Sequence, residues 1–149
     1  MSNLNVINFY YFDQMNFPTS DMALTTILVV SDIDRSKKFY TDVLGAKLYR
    51  EYGGTSVVLD FNGNWLLLVT RGGPTEDKPN TKFEPPKGFN SVSHSFTIRV
   101  KDCRASYEVL KERGAKFLTP PKDWGYEVRC FFSDPDGHLF EISEAGGGS

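Results

Sequence analysis

The feature that most restricts how this chain can fold is an internal repeat. Val30-Ser31-Asp32 recurs as Val100-Lys101-Asp102, and Ser36 as Ser106. Leu44-Gly45-Ala46-Lys47-Leu48 recurs as Arg113-Gly114-Ala115-Lys116-Phe117. Asn62-Gly63 with its apolar run Trp65-Leu66-Leu67-Leu68 recurs as Asp136-Gly137 with Leu139-Phe140-Glu141-Ile142. The same order with the same punctuation, found twice, marks a duplicated unit.

Each unit reads strand, helix, strand, strand, strand. In the first, residues 23–30 are rich in Thr, Ile and Val and predict a strand. Residues 34–44 predict a helix with Asp32 or Asp34 as N-cap, a Phe39, Tyr40, Val43, Leu44 stripe, and Gly45 just past its end. Strands are expected over 46–51, 55–61 and 64–70. In the second unit a strand is expected over 92–100, a helix over 102–113 closed by Gly114, and a short strand over 116–118 before Thr119-Pro120-Pro121. The last two strands, 127–132 and 138–143, flank Asp134-Pro135-Asp136-Gly137. There Pro135 presets φ, Asp136 can bond its own backbone and Gly137 supplies φ > 0, which makes a hairpin.

The expected fold is therefore α+β: two βαβββ modules, 22–70 and 91–144, joined by a polar, Pro- and Gly-rich connector at 71–90. Each module has one helix to cover one sheet face, leaving the other to curve around something. Residues 1–21 form an aromatic arm (Phe9-Tyr10-Tyr11-Phe12) expected to pack on the body or on a second subunit, and 145–149 a tail.

Composition removes several function classes. A net charge of −2 with no basic stripe gives nucleic acid no footprint. The longest apolar runs, 27–30 and 65–69, are too short to cross a bilayer, so no membrane partner is expected. No basic stretch followed by an apolar core marks the start as a secretion signal, and Cys103 and Cys130 form no CxxC pair. Free thiols in a cytoplasmic protein are the expectation.

Two motifs now point to a family. Ser31-Asp32-Ile33-Asp34-Arg35-Ser36-x-x-Phe39-Tyr40-x-Asp42-Val43-Leu44-Gly45, together with Asp134-Pro135-Asp136-Gly137-His138-x-x-Glu141, resembles the vicinal oxygen chelate superfamily. That is the glyoxalase I, bleomycin-resistance and extradiol-dioxygenase group, and the likeness covers about residues 22–144. The resemblance implies a cup built from two βαβββ modules, often in a homodimer, and in the family's enzymes one divalent metal held by the first and fourth strands of each module. Those positions fall here on Thr25, Leu67, Ser95 and Glu141. Of these only Glu141 is a good ligand, whereas a catalytic metal needs about three from His and carboxylates. The expectation is that no cofactor is bound. In the alternative, one divalent metal uses Glu141 and His94, the latter turned into the cup by a bulge. His138 is expected at a surface or edge position, facing away from Glu141.

Strand alternation sorts the side chains. Thr25, Ile27, Val29, Trp65, Leu67, Val69, Ser95, Thr97, Arg99, Leu139, Glu141 and Ser143 are assigned to the cup. Leu28, Val30, Leu66, Leu68, Phe96, Ile98, Val100, Phe140 and Ile142 are assigned to the helix side. Trp124 and Tyr126 are expected to rim the mouth, and Arg99 to pair with Glu141, either as a fixed ion pair or as ligand-binding groups. Such a lining suits a mostly apolar or aromatic small molecule with one or two polar handles. The expected function is ligand binding in the manner of the family's drug-sequestering members. The rival is a metal-dependent lyase, isomerase or dioxygenase in which Glu141 is catalytic.

Overall fold

Two four-strand paths, each with one helical segment, account for nearly all regular structure in the computed structural model, which describes residues 16–146. The chain runs β1 (Thr25–Val30), α1 (Ile33–Lys38, continued by a π-helical turn Phe39–Val43), β2 (Lys47–Tyr52), β3 (Ser56–Phe61) and β4 (Asn64–Thr70). After the connector come β5 (Phe96–Arg99), α2 (Cys103–Glu112), β6 (Lys116–Phe117), β7 (Lys122–Asp123), β8 (Glu127–Ser133) and β9 (Leu139–Ala145). The first sheet has the order β1-β4-β3-β2 and the second β5-β9-β8-β6, with β7 also on β8. In both, the first strand lies parallel to the last, and the remaining pairs are antiparallel.

The repeat carries its capping chemistry with it. Asp32 accepts from the Arg35 amide at 3.0 Å and Asp102 from the Ala105 amide at 2.9 Å, so each helix opens on the same aspartate N-cap. Each cap stabilises its helix by about 1 kcal/mol. Gly45 (φ +74°) and Gly114 (φ +105°) close them in the left-handed region. Two boundaries differ from expectation. The 34–44 helix is α-helical only to Lys38; the Leu44 amide then reaches back five residues to Phe39 O at 3.3 Å. The wider turn brings Tyr40 to full burial. The strand expected over 92–100 is regular only from Phe96 to Arg99. Strand β7 was not anticipated at all.

The apolar faces meet where alternation places them. Leu28, Val30, Leu59 and Leu68 are fully buried beneath α1, and Cys130, Phe132 and Ile142 beneath α2, all in one cluster. Phe132 stacks on Phe140 at 5.5 Å, and Phe140 on Phe96 at 4.9 Å. The two thiols lie inside this cluster as free cysteines, their sulfurs 4.0 Å apart. Burial pushes the Cys130 thiol up to about 12, so neither the surroundings nor the protonation suits a nucleophile.

The Asp134-Pro135-Asp136-Gly137 turn is the clasp between the sheets. Asp136 accepts from the Ser31 amide at 3.2 Å and the Ser31 hydroxyl at 2.5 Å, with Arg35 alongside at 3.4 Å. The Tyr40 hydroxyl donates to the Asp134 carboxylate at 2.8 Å. His138 is a correction to the sequence reading: it is 7% exposed, not at the surface. Its Nε2 lies 2.8 Å from Val29 O on the free edge of β1, so that nitrogen carries the proton and donates across the module boundary. The arm's aromatic run Phe9–Phe12 and the residues from 147 onward lie outside the described residues.

Candidate functional site

The cup face is built in rows, because residues opposite one another in a ladder share a face. In the first sheet one row is Ile27, Leu67, Val58 and Arg50, and the next is Thr25, Trp65, Asp60 and Lys47. In the second sheet Thr97, Glu141 and Phe131 form one row, and Arg99, Ser143, Arg129 and Lys122 another. The repeat thus sets hydrocarbon against charge: Leu67 occupies in one module the place Glu141 holds in the other.

Four of the sequence-assigned residues come together in one cleft of about 600 Å³ between the modules: Trp65, Ser95, Thr97 and Arg99. All five residues from Ser95 to Arg99 line it. Consecutive residues can do so only if the cleft follows the edge of β5 rather than one face. That edge is free, since β5 pairs with β9 alone. Leu24, Asn62 and Asn64 form the opposite wall, and Tyr49 packs edge-on to the Trp65 ring at 5.0 Å.

Ile27 and Leu139 line a separate, smaller pocket of about 260 Å³, closed on one side by Glu84, Pro86 and Lys87 of the connector. Trp124 is not beside the cleft. It lies in a hollow with Pro121 and Phe131, where the Lys122 ammonium and the Arg129 guanidinium each approach its ring to 5.5 Å. Tyr126 is exposed, just before β8, and lines none of these hollows. Thr25, Leu67 and Glu141 stand on the cup face outside them.

The charged pairing differs from expectation. Arg99 does not pair with Glu141. Its Nη1 donates to Ser143 Oγ at 2.7 Å and to Glu127 Oε2 at 3.2 Å, while Glu127 also accepts from Arg129 at 3.0 Å. Burial alone would raise the Glu127 carboxyl, but bonds from Ser143, Arg99 and Arg129 outweigh it and hold the group below its ordinary value. Glu141 accepts instead from the Thr97 hydroxyl at 3.4 Å. Glu127 was missed because strand alternation was followed only along the first and fourth strands of each module. Glu127, Arg129 and Phe131, spaced by two along β8, were legible by the same rule.

His94 is not brought together with Glu141. Its ring packs edge-on to Phe96 at 5.7 Å, lies 6.3 Å from His138, and lines the smaller pocket with Ile27 and Leu139. Instead of a bulge rotating it inward, β5 begins two residues later.

The model of the Glyoxalase/Bleomycin resistance protein/Dioxygenase superfamily matches residues 22–142. The chain belongs to this superfamily. Among its relatives is a probable lactoylglutathione lyase of Synechocystis, 28% identical over 129 residues that cover 80% of this chain and 92% of that one. The metallothiol transferase FosB of Lysinibacillus sphaericus is 31% identical over 114 residues, 76% of this chain and 74% of that one. A glyoxalase/bleomycin resistance protein/dioxygenase from Nocardioides shares the fold, with a TM-score of 0.66 at 24% identity, covering 96% and 95% of the two chains.

Superfamily membership raises the question of a metal. The four positions that correspond to its ligands supply one carboxylate, two hydroxyls and a hydrocarbon, from Glu141, Thr25, Ser95 and Leu67. This donor set does not fit a divalent ion. Exchanging modules between two chains would bring together the same four residue types. Among the described residues no group of three or more His, Cys, Asp or Glu side chains is placed to hold one elsewhere. No helix among them is long and apolar enough to cross a membrane.

Proposed function

We propose that this protein binds a small, mostly apolar or aromatic molecule in the cup without a metal and without breaking a bond. The observation that carries the reading is the replacement of ligand-type residues: Leu67, Thr25 and Ser95 stand where a metal would need His or carboxylate. The cleft at the edge of the cup adds support: there Trp65 and Thr97 of the cup face meet Leu66, Phe96 and Ile98 of the helix side, and about 600 Å³ suits a drug-sized molecule. Affinity would come from buried apolar area and a few oriented polar groups. The assembly we propose is a homodimer, supported by the exposed Leu48, Tyr49 and Tyr52 along β2.

The test is a binding screen on the Trp124→Phe variant, in which Trp65 is the remaining tryptophan. Saturable quenching by aromatic small molecules, weakened by Thr97→Arg in the cleft, is the expected result. Absence of saturable binding across an aromatic panel would overturn the reading.

The names of the relatives favour a second reading, a metal-dependent lyase or transferase that uses Glu141 with one divalent ion. It requires ligands beyond the four corresponding positions, and metal analysis separates it from the first.

A further inference from the structure

We propose that the cleft selects aromatic acids, with Arg99 taking the anionic group and the aromatic ring lying along Trp65. The inference rests on the ligand-binding reading above and adds the class of ligand. Among the described residues, Arg99 is the one charged side chain lining the cleft; its other polar groups are hydroxyls and amides of Thr26, Asn62, Asn64, Ser95 and Thr97.

Arg99 is held in readiness. Ser143, which anchors it at 2.7 Å, is fully buried on β9 and cannot follow the guanidinium outward. Among the described residues, both hydrogen bonds of the guanidinium run through Nη1. Nε and Nη2 are left to form the two parallel bonds that suit a carboxylate or sulfonate. Two thirds of the side chain (66%) is open to solvent, so a ligand can reach it.

The local charge points the same way. Glu127 serves both Arg99 and Arg129, and one carboxylate between two guanidiniums leaves one positive charge unmatched. Lys122 stands in the same row and adds another. Opposing them is Glu141, in the neighbouring row and tied to Thr97. An anion at Arg99 feels this carboxylate as a modest repulsion, which gives the proposal a second handle.

Two fluorescent probes with one skeleton supply the test: anilinonaphthalene sulfonate, an aryl anion, and its uncharged parent N-phenylnaphthylamine. Arg99→Met should weaken the sulfonate roughly tenfold, the loss expected for a charge-assisted bond at a partly exposed site. The uncharged probe should change by less than about twofold, because the exchange preserves the apolar stem. Arg99→Lys should fall between, keeping the charge but not the fork. Glu141→Gln should tighten the sulfonate about twofold by removing the repulsion. Equal effects on the two probes, or an unchanged sulfonate affinity in Arg99→Met, would overturn the assignment while leaving ligand binding intact. Failure of both probes to bind the wild type would overturn the assignment and the binding reading together.

Discussion

Removing the Asp134 carboxylate should unclasp the two sheets. Its Oδ2 accepts from Tyr40 Oη at 2.8 Å, and its Oδ1 accepts from the amides of Asp136 at 2.9 Å and His138 at 2.8 Å. Asp134 is itself 3% exposed, so Asp134→Ala strands three donors where water has poor access. Each orphaned group costs about 1–3 kcal/mol, and with partial relaxation the sum is about 3–6 kcal/mol. That is a large share of the roughly 5–15 kcal/mol available to a domain. At about 2–4 °C per kcal/mol it corresponds to a fall in Tm of about 6–24 °C. Asp134→Asn retains the Oδ1 acceptor but sets an NH2 opposite the Tyr40 hydroxyl, so it should cost less than Asp134→Ala, about 1–3 kcal/mol. Burial raises the Asp134 carboxyl above 3.8, despite His138 and the donated bonds. A carboxyl raised in the folded state binds its proton more tightly there than when unfolded. Wild-type stability from this group therefore falls as pH climbs from the ordinary carboxylate value through the raised one. The Asn variant, which has nothing to titrate, should gain on the wild type across that window and hold a constant offset above it. Urea denaturation followed by circular dichroism at several pH values measures both effects. A loss below about 1 kcal/mol for Asp134→Ala would refute the clasp, being less than one orphaned donor should cost. A gap between Asn and wild type that ignores pH would refute the account of the buried carboxyl.

The remaining predictions use the same assays. Tyr40→Phe should cost about 1.5–3 kcal/mol, the value of a bond to a charged acceptor, and its effect should be strongly non-additive with Asp134→Ala in a double-mutant cycle. At Gly137, φ is +99° and an added Cβ would meet Phe89 Cδ1 at 3.1 Å and Gly88 O at 3.2 Å. Gly137→Ala should therefore cost about 1–2 kcal/mol in backbone strain and speed limited proteolysis within residues 71–90, because the connector must move off the turn. Glu127, held below its ordinary value, contributes stability that is present above the ordinary carboxylate value and lost as pH falls through the lowered one. Wild-type Tm should accordingly drop more steeply on acidification than that of Glu127→Gln.

The fold was legible because its instructions are local and stated twice. Asp32 and Asp102 cap, Gly45 and Gly114 stop, and alternation along β1, β4 and β9 as far as Ile142 separates a helix side from a cup side. The site was less so, because its contacts depend on register between strands distant in the chain. Arg99 meets Glu127 only because β9 sets Ser143 beside Arg99 on one side and Arg129 on the other. Looking along β9 alone, Glu141 is the nearest acid, and the wrong partner follows. The clasp was hidden for a related reason. Asp134 and Asp136 announce a turn from composition, but their acceptors are filled by Ser31 and Tyr40, roughly a hundred residues earlier. His138 shows the limit of treating histidines as surface groups by default, for it is buried and bonds to β1, whereas His94 is exposed as expected.

The central claim, a cup that works without a metal, is tested most directly by metal analysis of protein purified without chelator or affinity metal. The same preparation should be titrated with Ni, Zn, Mn and Fe(II). The account predicts metal far below one equivalent and no saturable binding that depends on Glu141. Near-stoichiometric metal that is lost in Glu141→Gln would contradict it and establish the metal-dependent reading instead.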